Sequence, residues 1–174
     1  MIINGKTLLK MSPIFDMETS KQVAPGGTSY GLGEAGYDIR IKQDVHFKPN
    51  EFIQFNMDVK VDGLVERATR FTLASAIERF KMPANLVGVV HDKSTWARRG
   101  LSVFNTVIEP GWNGYLTLEL VYHGKDELII PAGAGIAQVL FSETEEYRRY
   151  EGKYQHQADM PVAAIDSQEH HHGS

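Results

Sequence analysis

The chain has 174 residues, 42% of them hydrophobic and 23% charged, with 18 Lys and Arg against 22 Asp and Glu and no cysteine. That length favours a single domain and suffices for a core without staples, since such a chain buries roughly 70% of the surface it exposes when unfolded. The missing cysteines remove disulfides, thiol catalysis and Cys-ligated zinc, and a net charge of −4 lacks the basic excess of a general nucleic-acid binder. The longest apolar run near the middle, Leu86-Val87-Gly88-Val89-Val90, falls far short of the ~20 residues of a membrane span, and no signal-peptide pattern opens the sequence.

In chain order, region 17–34 is rich in Gly, Ser and Thr and reads as an irregular surface loop. From there the dominant period is two. Ile39, Ile41, Val45 and Phe47 alternate with Asp38, Arg40, Lys42, Asp44 and His46, and Ile53, Phe55, Met57, Val59 and Val61 alternate with polar residues, the pattern of strands with one buried face. Segment 71–80 reads as a strand, although Ala74, Ala76 and Glu78 also suit a helix. One short internal helix is expected at 94–99, with Asp92 or Ser94 capping its first amides and Gly100 ending it in the left-handed conformation. Leu116, Leu118 and Leu120 then interleave with Thr117, Glu119 and Val121, and 128–130 and 136–141 read as further strands. Turn signals separate these runs at Pro49-Asn50, Asp62-Gly63, Pro83-Ala84-Asn85, Pro110-Gly111, Asn113-Gly114, His123-Gly124-Lys125 and Pro131-Ala132-Gly133. Many short strands so punctuated predict an antiparallel sandwich or barrel. A single domain is expected over 1–157, its last segment at about 147–157, with a tail at 158–174. The adjacent His170, His171 and His172 in that tail read as a purification remnant more readily than as a metal site.

Four groups can carry chemistry. The densest basic cluster is His91-Asp92-Lys93-Ser94-Thr95-Trp96-Ala97-Arg98-Arg99-Gly100: donors at a helix start point outward to an anion, and Arg98 can grip a phosphate through two parallel bonds. A capped surface helix with solvated charges is the plainer account. Glu119 stands on a strand whose other face is leucine, either as a solvent-facing carboxylate or as a general base on a rigid support. Glu109, beside the Pro110-Gly111 turn, is a second nearby carboxylate. The segment from Tyr150 through Lys153 to Gln157 is polar and aromatic, suited to a frayed end or to a lid over a ligand. Gly31-Leu32-Gly33 is too weak to mark a dinucleotide site, and His46, His91, His123 and His156 lack metal-ligand spacing.

Taken in order, the segments resemble the trimeric dUTPase and dCTP deaminase superfamily. Residues 34–40, Glu-Ala-Gly-Tyr-Asp-Ile-Arg, resemble its first shared motif, and 93–101 its phosphate motif. Residues 108–120, opening Ile-Glu-Pro-Gly-Trp and closing Leu-Glu-Leu, resemble its central segment, and Gly135-Ile136-Ala137-Gln138 a further motif. The end of the chain resembles the deaminase branch, because Tyr150, Gly152-Lys153-Tyr154 and Gln157 look like the deaminase lid and no glycine-rich, arginine-containing dUTPase terminus is present.

The resemblance implies a mainly β, distorted jelly-roll barrel or sandwich with one short internal helix, assembled as a homotrimer with shared sites. It implies hydrolytic conversion of dCTP to dUTP and ammonia without zinc. Glu119 would be the catalytic base, with Arg98 and Ser94 near the reacting water and base. Lys93, Thr95, Trp96, Ala97, Glu109, Thr117, Leu118, Tyr150, Lys153 and Gln157 would complete the substrate site. Mg²⁺ is expected on the substrate phosphates, dCTP and dUTP as ligands, dTTP as a candidate inhibitor, neither nucleic acid nor membrane as a partner, and the cytoplasm as location. Two departures keep alternatives open: the stretch 103–109 is about two residues shorter than the family hairpin, and Glu109 replaces an aspartate. A bifunctional enzyme continuing to dUMP, or a nucleotide-binding regulator without turnover, shares the same pattern.

Overall fold

Alternation of apolar and polar residues selects an extended strand wherever one face can be buried. Most of the expected segments take that form in the computed structural model, which describes residues 1–48, 59–61, 64–66, 70–104 and 107–166. The strands are β1 (Ile2–Ile3), β2 (Lys21–Val23), β3 (Ser29–Leu32), β4 (Tyr37–Arg40), β5 (Val45–Phe47), β6 (Val59–Val61) and β7 (Leu64–Glu66). They continue with β8 (Phe71–Lys81), β9 (Leu86–Asp92), β10 (Leu101–Val103), β11 (Val107–Ile108), β12 (Asn113–Tyr122), β13 (Leu128–Ile130) and β14 (Gly135–Glu143). Among the described residues two α-helices accompany them, α1 (Gly5–Met11) and α2 (Ser94–Ala97), with a short 3-10 turn at Pro25–Gly27.

The largest sheet runs β11-β9-β14-β4-β3-β2, with β1 also paired to β14, and a second runs β10-β12-β8. Strand β13 pairs β5, β6 pairs β7, and the pairings are antiparallel. Both main sheets feed one apolar core. Ile39, Val139 and Phe141 enter it from the larger sheet, and Ala74, Phe80, Leu118 and Leu120 from the smaller. The mainly β sandwich expected from the sequence is the observed architecture, and the ambiguous 71–80 segment is a strand.

Several local expectations are corrected. Region 17–34 is not irregular throughout: β2 and β3 form a hairpin there and extend the large sheet through β4. Helix α1 is an additional element; its cap residue Asn4 makes no side-chain cap and instead donates from Nδ2 to the Glu34 carbonyl at 2.7 Å. The alternation across 38–47 is interrupted where the chain changes sheets. Between β4 and β5, the Ile41 amide bonds to Ala134 O and the Lys42 amide to Ser75 O, both at 2.9 Å. The Asn113-Gly114 signal marks the start of β12, not a turn. Residues 53–58 of the second alternating run, and the Pro49-Asn50 and Asp62-Gly63 signals, lie outside the described residues.

Candidate active site

The basic cluster folds much as its sequence suggests, but with different caps. Helix α2 is one turn, and Gly100 follows it at φ +88. Neither expected side chain caps the helix start. Asp92 Oδ1 instead accepts the Val103 amide at 2.7 Å and ties β9 to β10. Ser94, Thr95, Ala97 and Arg98 are exposed. The Trp96 side chain is buried, with its indole N–H donating to Gly135 O at 2.7 Å, so only its backbone is available to a ligand. Lys93 is held within the fold: its ammonium forms an ion pair with the buried Asp38 and donates to Ser29 Oγ at 3.0 Å. One Asp38 oxygen, Oδ1, is buried without a hydrogen-bond partner.

The carboxylate site is built by an irregularity between β8 and β12. Tyr115 pairs with Arg79 and Thr117 with Ser75, so Ala76, Ile77 and Glu78 stand opposite Leu116 alone. The excess residues bend β8 towards β4, where buried Glu78 accepts the Arg40 backbone amide and its Nε, each at 2.8 Å. Such a bulge re-aims neighbouring side chains. Leu118 and Leu120 remain in the core, while Leu116 turns to line a cavity together with Thr117 and Glu119. Leu118 therefore offers a ligand its backbone only.

That cavity encloses about 550 Å³, within the range of small-molecule sites. Phe71 and Leu73 of β8 and Val90 of β9 form one wall. Val107, Ile108, Glu109 and Trp112 form another, and Tyr150, Tyr154, Gln157 and residues 162–164 complete it from the C-terminal side. The setting around Glu119 is largely apolar, with Leu73 directly opposite it in the β-ladder. Burial raises its carboxyl above the ordinary 4.5, because a low-dielectric environment disfavours the charged form.

The C-terminal segment lies along the start of β12. The His156 amide donates to Asn113 O at 2.7 Å and the Tyr115 amide to Gln157 O at 3.1 Å, a short parallel bridge. Gly114 makes room for it: a Cβ there would come within 2.6 Å of the Gln157 nitrogen. Beyond Gln157 the chain stays on the body. The Val162 amide donates to Thr117 Oγ1 at 3.0 Å, the Ile165 amide to the Tyr154 hydroxyl at 3.1 Å, and Lys153 Nζ to the Ile165 carbonyl.

A family model described as dCTP deaminase-like matches residues 14–144. The chain belongs to the dCTP deaminase-like family. It is 38% identical over 163 residues to a dCTP deaminase of Herpetosiphon aurantiacus, covering 83% of this chain and 86% of the relative. It is 36% identical over 158 residues to a dCTP deaminase of Campylobacter jejuni, covering 82% and 85%. Among solved structures, the 2′-deoxycytidine 5′-triphosphate deaminase of Agrobacterium tumefaciens aligns with a TM-score of 0.52 at 12% identity. That alignment covers 85% of this chain and 50% of the other, and shares the fold.

For this dCTP deaminase-like chain, Glu109, Thr117, Glu119, Tyr150 and Gln157 are brought to one cavity. Lys93, Ser94, Thr95, Ala97, Arg98 and Lys153 are not among the residues that line it. Sequence reasoning missed the apolar walls. Phe71 and Leu73 looked like ordinary strand residues, and only the register with Glu119 reveals their place. Trp112 and Tyr154 stood inside segments already singled out, and their aromatic size was the available signal. Among the described residues no helix is long and apolar enough to cross a membrane.

Proposed function

We propose that the protein converts dCTP to dUTP and ammonia, with Glu119 as the base. The observation that carries this reading is the half-buried Glu119 carboxyl, fixed on β12 in a largely apolar cavity of about 550 Å³. Water must add at C4 of the cytosine ring, passing a proton to Glu119. The carboxyl then returns it to N3 and serves the departing amine, so one water enters and one ammonia leaves. General acid–base work of this kind contributes typically 10²–10⁴-fold. The raised pKa suits it, because a carboxylate of higher pKa takes a proton from water more readily than an ordinary one.

Arg98 and Ser94 stand near the reacting water and base, and the triphosphate falls to Lys93 and Thr95, with Tyr150, Lys153 and Gln157 from the C-terminal segment. This set holds cations, hydroxyls and an amide but no carboxylate. It suits phosphate oxygens, and fits a Mg²⁺ that arrives on the nucleotide and keeps its waters. Such an ion would neutralise phosphate charge. Because α2 does not line the cavity of its own chain, the reading includes a homotrimer in which α2 of one subunit completes the cavity of the next. It also places the enzyme with its nucleotide pool in the cytoplasm.

Purified protein incubated with dCTP and Mg²⁺ is expected to release equimolar ammonia and dUTP. Glu119→Gln should lower the rate at least ~10²-fold while leaving dCTP binding intact. Absence of ammonia across neutral pH sinks the reading. A second reading, continuation to dUMP, is favoured by Glu109 in the same cavity; pyrophosphate release from supplied dUTP separates the two.

A further inference from the structure

The nucleotide groups assigned to the C-terminal segment are useful only if that segment keeps its register on β12, and one side chain outside the assigned set controls this. Gln155 places its carboxamide between the segment and the turn before β12. Its Oε1 accepts the Asn113 amide at 2.7 Å, while Nε2 donates to Gly111 O at 3.0 Å and to Tyr150 O at 2.8 Å. Oε1 also accepts the His156 amide at 3.3 Å, so a single amide serves two backbone donors and two backbone acceptors in two stretches about forty residues apart in sequence. An amide is the one neutral side-chain group that both accepts and donates in this way from adjacent atoms.

The neighbouring contacts show what this junction governs. The Trp112 indole donates to Tyr154 O at 2.6 Å, the Tyr150 amide to Pro110 O at 2.8 Å, and the His156 amide to Asn113 O at 2.7 Å. The turn that carries Glu109 and the segment that carries Tyr150 and Gln157 are therefore joined, and Gln155 makes two of the joining bonds while its third braces the segment internally at Tyr150. Immediately after it, His156 takes φ +61, a left-handed conformation uncommon for a residue with a side chain. That reversal brings Gln157 to Gly114, where the backbones meet.

We propose that Gln155 is a positioning residue for the deamination: it locks the 150–157 segment to the 111–113 turn and so sets Tyr150, Lys153 and Gln157 for the nucleotide. The inference rests on the reading of that segment as a nucleotide-binding lid. It acts through those residues and touches no reacting atom, so its loss weakens substrate binding more than turnover.

The test is Gln155→Ala and Gln155→Glu, the latter keeping an acceptor for Asn113 but presenting a carboxylate to two carbonyls. Both should raise KM for dCTP about tenfold, one factor of ten per 1.4 kcal/mol, with kcat within about threefold of wild type. Hydrogen exchange should accelerate at the Tyr115 and His156 amides and stay unchanged at Leu120 in the core of β12. In a Glu119→Gln background, which removes turnover, the Kd of dCTP should weaken by the same factor. If Gln155→Ala does not fold, Gln155→Glu decides. An unchanged KM and Kd, or unaltered exchange at Tyr115, overturns the proposal. A wild-type protein that releases no ammonia instead sinks the deaminase reading, and the exchange and Kd measurements still decide the role of Gln155.

Discussion

A carboxylate that must take a proton from water is most useful when it is ionised yet reluctant to remain so. Glu119 meets that condition through burial, which pushes its carboxyl above 4.5. The sign of the pH dependence follows. Below its pKa the group is protonated and cannot act as base, so kcat/KM for dCTP climbs with pH until the carboxylate forms. Since the pKa is raised, the acid limb should have its midpoint above 4.5, measured by initial rates of ammonia release between pH 4 and 8. Leu73 stands directly opposite in the ladder, and its replacement by Asn, which admits a hydrogen-bonding group, should move that limb towards the ordinary value. An acid limb at or below 4.5 would remove Glu119 as the titrating base.

At the scale of elements, small polar tethers decide where chain segments turn. Asp92 ends β9 and, instead of capping α2, accepts the Val103 amide. Asp92→Ala leaves that amide without its partner, and an unsatisfied buried donor costs about 1–3 kcal/mol. Because this one is partly buried, a loss of about 1–2 kcal/mol in urea unfolding is expected, and a loss below about 0.3 kcal/mol would show that water replaces the bond. The same bond explains what could be read from residues and what could not. Period-two alternation was legible in β12 because burial of one face writes itself into composition, and β14 was legible as an apolar run. The β2–β3 hairpin was not, because Ser29 and Gly31 become strand through the pairing of β3 with β2 and β4, and tertiary pairing overrides weak local preference. Helix α1 also escaped detection: its seven residues carry one buried side chain, Leu8, too few for a helical stripe. In the site, Glu119 and Gln157 could be named from motif order. Gly114 looked like a turn residue, however, since the segment whose Gln157 lies across it comes some forty positions later.

Across the whole molecule the residues assigned to the site are separated within one chain. The exposed Ser94 and Arg98 lie on α2 after β9, whereas Glu119 lines a cavity to which α2 does not contribute. Large apolar side chains, Phe71, Phe104 and Val107, remain half exposed around the same region of the chain, surface that cyclic assembly can cover. If each site joins α2 of one subunit to β12 of the next, two inactive variants should rescue each other. Arg98→Ala lacks a working α2 but keeps Glu119, and Glu119→Gln keeps α2 but lacks the base. Every mixed trimer then contains one junction at which an intact α2 meets an intact Glu119. Random mixing at equal amounts makes about three quarters of trimers mixed, each with one of three sites whole, so activity should return to about a quarter of wild type. The mixture is made by unfolding and refolding the two variants together, and assembly is checked by sedimentation against three times the 19.5 kDa chain mass. Recovery near a quarter supports sites shared between subunits. Activity that stays at the level of the separate variants would place α2 and Glu119 of each site within one chain, since no exchange of subunits could then bring an intact pair together.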